Sequence, residues 1–252
     1  MEIQPHLKIN KINENVILPG DPGRIDKILE YLKNTKEIKN NRGLRVSEGE
    51  YNNLKISLVS TGMGCPSAAI VCEELANIGA KNVIRLGTCG GLLKEMEPGS
   101  IVIPHSAFCG DGTTKEYAPK TIYAEADKEI FDALIQAAKR LGIRYFDGIN
   151  RTHDAFYEPI ENFVKLIGRG FVSSEMECSA VFLISKFRKI KSGAILVVNT
   201  PEPPEDVKKN PDMIYRLVDK EKVNEGMENA IKISLEAIKI LEEAKKYKEK
   251  YG

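Results

Sequence analysis

The chain has no tryptophan, only two glutamines (Gln4 and Gln136) and three histidines among 252 residues. The histidines, His6, His105 and His153, are far apart, and none stands at ligand spacing from another histidine or a cysteine, so no metal site is expected. The five cysteines, Cys65, Cys72, Cys89, Cys109 and Cys178, are odd in number and include no CxxC pair. That argues against a disulfide frame or a zinc site and for reduced thiols in a cytoplasm. No apolar run reaches the length of a membrane span, and the start "MEIQPHLKINKINEN" is too polar for a signal peptide. A cytoplasmic protein with no membrane partner is the expectation. Charge of one sign is also missing: 37 Lys and Arg against 36 Asp and Glu leave a net charge of +1, too little to draw in nucleic acid. Neither G-x-G-x-x-G nor a Walker loop nor G-x-S-x-G occurs, so dinucleotide binding, triphosphate binding and a nucleophile elbow find no support.

What is present suits an ordinary globular protein, with 42% hydrophobic and 29% charged residues and enough length for a sizeable core. Scarce glutamine with abundant Lys, Glu and Ile fits heat adaptation, and equally an A+T-rich genome. There is no linker, repeat or low-complexity tract, so residues 1–252 read as one α/β unit. Apolar runs bounded by glycine alternate with helical periodicity. "NVILPG", "LKISLVSTG", "KNVIRLG", "GSIVIPHSAF", "RYFDGINRT" and "SGAILVVNT" read as strands. "DPGRIDKILEYL", "PSAAIVCEELANIG", "DKEIFDALIQAAKRLG" and "SEMECSAVFLISKF" read as helices, two of them closed by glycine. From about residue 223 to 247, Val223, Met227, Ile231, Leu235, Ile238 and Leu241 recur at helical spacing and predict a long C-terminal helix. This alternation implies a mainly parallel sheet covered on both faces, with ligands bound beyond the carboxyl ends of its strands.

Five stretches carry chemistry. In "FVSSEMECSAVFLI", Glu175 and Glu177 interrupt an apolar run, and burying carboxylates is costly unless they are paired. Ser174 to Glu177 fits a capping box, with Ser174 as N-cap; alternatively a carboxylate here accepts hydrogen bonds from a sugar diol. "VILPGDPGRI" delivers Arg24 where a helix starts, which is either a plain strand–helix turn or an anion site. In "VIRLGTCGGL", Arg85 lies in an apolar strand just before Thr88 and a pair of glycines. A buried arginine needs an anion, supplied by a structural carboxylate or by a ligand. "VSTGMGCPSA" is a tight bend that could line a pocket. "HDAFYEP" offers Phe156 and Tyr157 either as core or as a platform for a planar ligand. The basic stretches "KFRKIK" and "KKYKEKYG" read as solvated faces.

Two arginines with glycine turns for an oxyanion, a carboxylate for a diol and an aromatic pair for a ring would together accommodate phosphate, ribose and nucleobase. The stretches "VILPGDPGRIDKI", "NRGLRVSEGEY", "VSTGMGCPSAAIVCEEL", "VIRLGTCGGL", "DAFYEP" and "SSEMECSA", in this order and spacing, resemble the hexameric purine nucleoside and uridine phosphorylases over nearly the whole chain. The resemblance implies a three-layer αβα sandwich around a mixed, partly barrel-like sheet. It implies a phosphate site from Gly20, Arg24, Arg85 and Thr88, with Arg42 lent across a dimer interface. It implies ribose contacts from Met176, Glu177 and the companion Glu175, with His6 contributed by the neighbour near the 5′-hydroxyl, and a base site at Phe156 and Tyr157. The co-substrate would be inorganic phosphate with no further cofactor, and the assembly a homo-oligomer of dimers that share sites, six chains in all.

The chain departs from both branches of that family. Purine enzymes of this type carry an aspartate after the last strand, where this chain has "VVNTPEPPED", placing Asn199 or Thr200 there. Uridine enzymes carry a glutamine and an arginine after the aromatic pair, where Ile160 and Asn162 stand here. The short segment between Phe156 and Glu175 follows the purine branch. The expectation is therefore a phosphorylase of 6-oxopurine ribonucleosides with Arg85, Glu177 and Asn199 at the reaction, and with Glu205 or Asp206 as a candidate acid. The alternatives are a uridine phosphorylase, a nucleosidase that uses water, and a non-catalytic nucleoside-binding protein.

Overall fold

In the computed structural model of the chain, residues 2–213 and 219–251 are described; Met1, residues 214–218 and Gly252 lie outside them. Strand β1 (Asn15–Pro19) is buried along its whole length, as its apolar sequence requires. It turns through Asp21 to Gly23 into the short helix α1 (Arg24–Leu29), with the Asp21 carboxylate accepting the Gly23 N–H at 2.8 Å. A hairpin follows, β2 (Lys33–Asn41) and β3 (Leu44–Tyr51). Its two-residue loop, Arg42-Gly43, has φ of 56° and 78°, the positive pair that a type I′ turn demands. The sequence hid β2: "KNTKEIKNN" has no apolar alternation because this is an exposed edge strand, guarded by lysines.

Strand β4 (Leu54–Val59) leads to helix α2 (Cys65–Ile78), which ends on Gly79 at φ 109°. The long strand β5 (Asn82–Gly91) is followed by β6 (Ile101–Cys109), helix α3 (Gly112–Tyr117) and the short strand β7 (Tyr123–Glu125). Helix α4 (Lys128–Arg140) starts at an Asp127 cap. Next come β8 (Tyr145–Thr152), helix α5 (Ile160–Val164), β9 (Phe171–Glu175), helix α6 (Cys178–Phe187), β10 (Lys191–Pro201), helix α7 (Pro204–Lys209) and the expected long helix α8 (Lys220–Tyr251). Among the described residues no helix is long and apolar enough to cross a membrane.

The strands form one sheet in the order β10-β6-β8-β9-β5-β1-β4-β3-β2, with β7 beside β6. Strand β10 also pairs with β5, so β5, β9, β8, β6 and β10 close into a five-strand ring. Helices α2 and α6 cover one face through residues such as Leu75 and Phe182. Helices α1, α4 and α8 cover the other through Ile25, Leu134 and Leu235. The three-layer sandwich with a mixed, partly barrel-like sheet is what the structure shows. The strand alternation had suggested a mainly parallel sheet; instead the hairpin, β7, and the pairings of β9 with β5 and of β6 with β10 are antiparallel.

One detail of the sheet positions everything that follows. On the same side of β5, β1 pairs with Asn82 to Leu86, while β9 pairs only with Gly90 and Gly91. Strand β5 thus changes partner at Gly87 to Cys89, and the sheet forks there. The crevice lies beyond the carboxyl ends of β1 and β9, where open α/β sheets bind ligands.

Candidate active site

The fork opens into a cleft of about 700 Å³, ample for a small bipartite ligand. Gly20, Arg24, Arg85, Thr88, Phe156, Tyr157, Glu175, Met176, Glu177 and Asn199, ten residues singled out in the sequence, all line it. Arg24 enters from the first turn of α1 and donates from Nη2 to Thr88 Oγ1 at 3.2 Å. Burial, and then the charge of Arg85 nearby, lower the pKa of Arg24. Arg85 Nη1 is buried with no hydrogen-bond partner among the described residues. A Cβ at Gly20 would stand 3.9 Å from that nitrogen, so Gly20 faces it. Two guanidiniums that repel each other, one with an orphaned N–H, make an anion site.

The two glutamates hold different things. Arg85 lies between them: its Nε donates to Glu175 Oε2 at 3.0 Å, and its Nη2 pairs with Glu175 at 2.9 Å and closely with Glu177 Oε2. Glu175 also accepts from Asn150 Nδ2 and Thr152 Oγ1, each at 2.7 Å, and from the backbone N–H groups of Glu177 and Cys178 at 2.8 and 2.9 Å. Burial alone would raise its pKa, but Arg85, Thr152 and the two N–H groups reverse this and hold it below the usual carboxylate range. Both of its oxygens are therefore occupied by protein. Among the described residues Glu177 accepts from the Gly64 N–H, at 2.6 Å, and from Arg85. Burial, together with the neighbouring Glu175, raises its pKa against the pull of Arg85. Gly64 can present its N–H because it sits at φ 86°, which disfavours any other residue.

The capping box is therefore corrected. Helix α6 begins at Cys178, with Glu177 in the N-cap position, and Ser174 belongs to strand β9. The carboxylate that satisfies the helix start is Glu175, two and three residues before the N–H groups it binds. Strand β9 pairs in parallel with β8 and so runs two residues, Ser174 and Glu175, into the segment read as a helix.

Phe156 and Tyr157, which also line the cleft, are no core pair. They are 53% and 81% exposed and meet edge to face with ring centroids 5.0 Å apart. Asn199 and Thr200, near the end of β10, also line the cleft. Neither Glu205 nor Asp206 is among the lining residues; Glu205 pairs with Lys94 at 3.1 Å on the surface. The carboxylate that does line the cleft from this loop is Glu202. Its backbone N–H donates to Gly91 O at 2.6 Å, and a Cβ on Gly90 would come within 2.6 Å of its Oε2. Neither Glu202 nor the lining residue His153 was singled out in the sequence. The Pro201-Glu202-Pro203-Pro204 run, which fixes φ around one glutamate, was the available signal.

Arg42 and His6 do not line this chain's own cleft. They lie side by side elsewhere: Asn41 Nδ2 donates to His6 O at 2.7 Å, next to Arg42 at the hairpin tip. His6 Nδ1 stands 2.6 Å from the buried Glu74 carboxylate, which also accepts the N–H groups of His6 and Leu7. Cys65, Asp111 and Asp154 approach one another closely enough for an ion. Yet Asp111 already binds Thr114 and Ser179, Asp154 accepts from Gly112, and burial pushes the Cys65 thiol far up, so its thiolate is strongly disfavoured.

Comparison with known proteins identifies the family. The family model described as the phosphorylase superfamily matches residues 14–240. A guanosine phosphorylase of Halorubrum lacusprofundi is 33% identical over 96% of this chain and 100% of its own length. A uridine phosphorylase of Treponema pallidum is 32% identical over 93% of this chain and 92% of its own. Among solved structures, a purine nucleoside phosphorylase of Toxoplasma gondii in complex with immucillin-H superposes with a TM-score of 0.85 at 31% identity, covering 94% of this chain and 95% of the other. The chain belongs to the phosphorylase superfamily.

Proposed function

We propose that the protein catalyses the reversible phosphorolysis of a ribonucleoside to free base and ribose 1-phosphate, with 6-oxopurine nucleosides preferred. The observation that carries this reading is the convergence of Arg24, Thr88 and the orphaned Arg85 Nη1 beside Glu177, an anion site adjoining a carboxylate that still has acceptor capacity. A hydrolase using water has no need of such an anion site. Inorganic phosphate serves as co-substrate with no other cofactor.

In this reading phosphate rests against Gly20, Arg24, Arg85 and Thr88, and Glu177 accepts hydrogen bonds from the ribose 2′- and 3′-hydroxyls next to Met176. Glu175, fully occupied by protein donors, positions Arg85 and does not itself grip the sugar. Phosphate oxygen forms a bond to C1′ as the glycosidic C–N bond breaks through a cationic sugar. The guanidiniums hold the attacking anion in line, a contribution of proximity and fixed charge. Phe156 and Tyr157 flank the base, and Asn199 hydrogen-bonds its oxo group. Glu202 supplies the proton that the departing base takes up, the role expected earlier of Glu205 or Asp206. Arg42 and His6 complete the phosphate and ribose sites of a neighbouring copy, in dimers that assemble into a hexamer. Similarity to a uridine phosphorylase at 32% identity makes uridine the second substrate to test.

The test is base release from inosine, guanosine, adenosine and uridine, each with and without phosphate, followed by chromatography. Release that requires phosphate is expected, fastest with inosine or guanosine. Release at equal rates without phosphate would refute the reading.

A further inference from the structure

One ring in the cleft has no part in that scheme. His153 follows Thr152 at the end of β8, and its backbone N–H donates to Glu175 O at 3.0 Å, which anchors it beside the buried carboxylate network. His153 lines the cleft, and its buried Nδ1 meets no hydrogen-bond partner of good geometry among the described residues, the Ala155 backbone being the polar group beside the ring. Buried polar atoms without partners are rare, and one beside a ligand cleft calls for a partner that solvent or ligand brings. The charged groups around the ring are Arg151, Glu158 and Glu175. Arg151 is clamped by Glu158 through two bonds of 2.6 and 2.7 Å, and Glu175 is saturated, so neither is available to the imidazole. Burial, followed by the charge of Arg151, holds the His153 pKa below its usual value. The ring is therefore neutral at pH 7, with one N–H donor and one lone pair to offer.

Position decides which part of the ligand it meets. His153 precedes Phe156 by three residues on the same loop, and both line the cleft. We propose that His153 reads the edge of the nucleobase by a hydrogen bond from its imidazole and so sets the discrimination among bases. This rests on the phosphorylase reading of the same cleft. A site with a buried polar atom rejects a base that leaves that atom unpaired, so the residue acts on selectivity as well as on affinity.

The experiment compares wild type with His153→Phe and His153→Ala in phosphate-dependent release from the same four nucleosides. Loss of one neutral hydrogen bond is expected to lower kcat/KM for the preferred nucleoside by about three- to tenfold, mainly through KM, and to compress the ratio of best to worst base by a similar factor. The KM for phosphate should not move, and His153→Gln should restore part of the selectivity. The phenylalanine keeps the ring volume, so a loss common to both variants is not a packing defect. Unchanged ratios among the four bases in both variants would overturn the proposal while leaving the phosphorylase reading intact. A wild type that releases no base in a phosphate-dependent way would defeat that reading, and the inference with it.

Discussion

Removing the Glu177 carboxylate separates its two jobs. In Glu177→Ala the Gly64 N–H loses its acceptor and Arg85 keeps Glu175 alone. An abandoned buried donor costs about 1–3 kcal/mol, a few degrees in thermal midpoint for a chain of this length. That loss falls equally on every substrate. The sugar contact does not. A hydroxyl bound to a carboxylate contributes about 1.5–3 kcal/mol, so a 2′-hydroxyl held by Glu177 favours ribonucleosides over 2′-deoxyribonucleosides by roughly ten- to a hundredfold in kcat/KM. The assay is the ratio of kcat/KM for a ribonucleoside and its 2′-deoxy analogue, in wild type and variant, because defects common to both sugars cancel. The ratio should collapse towards one in Glu177→Ala. An unchanged ratio would refute the diol contact and leave Glu177 as a partner of Arg85 and Gly64 only.

Three further outcomes are expected. Glu202→Gln keeps the packing against Gly90 but removes the acid, so kcat should fall by about 10²–10⁴ with little change in the KM for phosphate; a wild-type kcat would exclude Glu202 from proton transfer. Arg42→Ala and Arg24→Met should each be inactive, yet random mixing of the two in a shared-site dimer rebuilds one intact site in every mixed pair and should restore about a quarter of the activity; no recovery would place Arg42 outside the site. The native Glu175 carboxylate binds its proton more weakly than the unfolded chain does, so its stabilisation is complete above the ordinary pKa of about 4.3 and is lost as pH falls through the folded value. Glu175→Gln should therefore flatten the acid limb of the melting temperature against pH, and a limb parallel to the wild type would contradict that sign. Glu177, raised by burial, acts in the opposite sense, its stabilisation being lost as pH rises through the folded value.

The buried strands and the main helices were legible because each carries an apolar run or a helical stripe ended by glycine. The hairpin strand β2 was not, since an exposed edge has no buried face to impose alternation. Strand β9 was missed for the opposite reason. Its five residues are all buried and run straight into an apolar helix, so composition could not mark the junction between Glu175 and Cys178. The same ambiguity affected the glutamates. Spacing alone offered a helix cap or a ligand carboxylate for one motif, whereas the structure divides the two roles: Glu175 caps the helix, and Glu177 is left facing the cleft. His153 and Glu202 gave no periodic or spacing signal. Their place depends on where β8 and β10 end in the closed ring, a long-range consequence of strand order.

In the proposed scheme a second chain adds positive charge to the cleft. Two arginines, Arg24 and Arg85, face five carboxylates, those of Asp21, Glu158, Glu175, Glu177 and Glu202. Arg151 neutralises Glu158, and Arg85 is shared by Glu175 and Glu177. Catalysis by fixed charge requires a surplus of positive charge at the attacking anion. Arg42 is a cation at the tip of a rigid two-residue turn, outside its own cleft and held next to His6 by Asn41. Inserted from a second copy it would supply that surplus, and the same approach would carry His6, oriented by Glu74, towards the sugar.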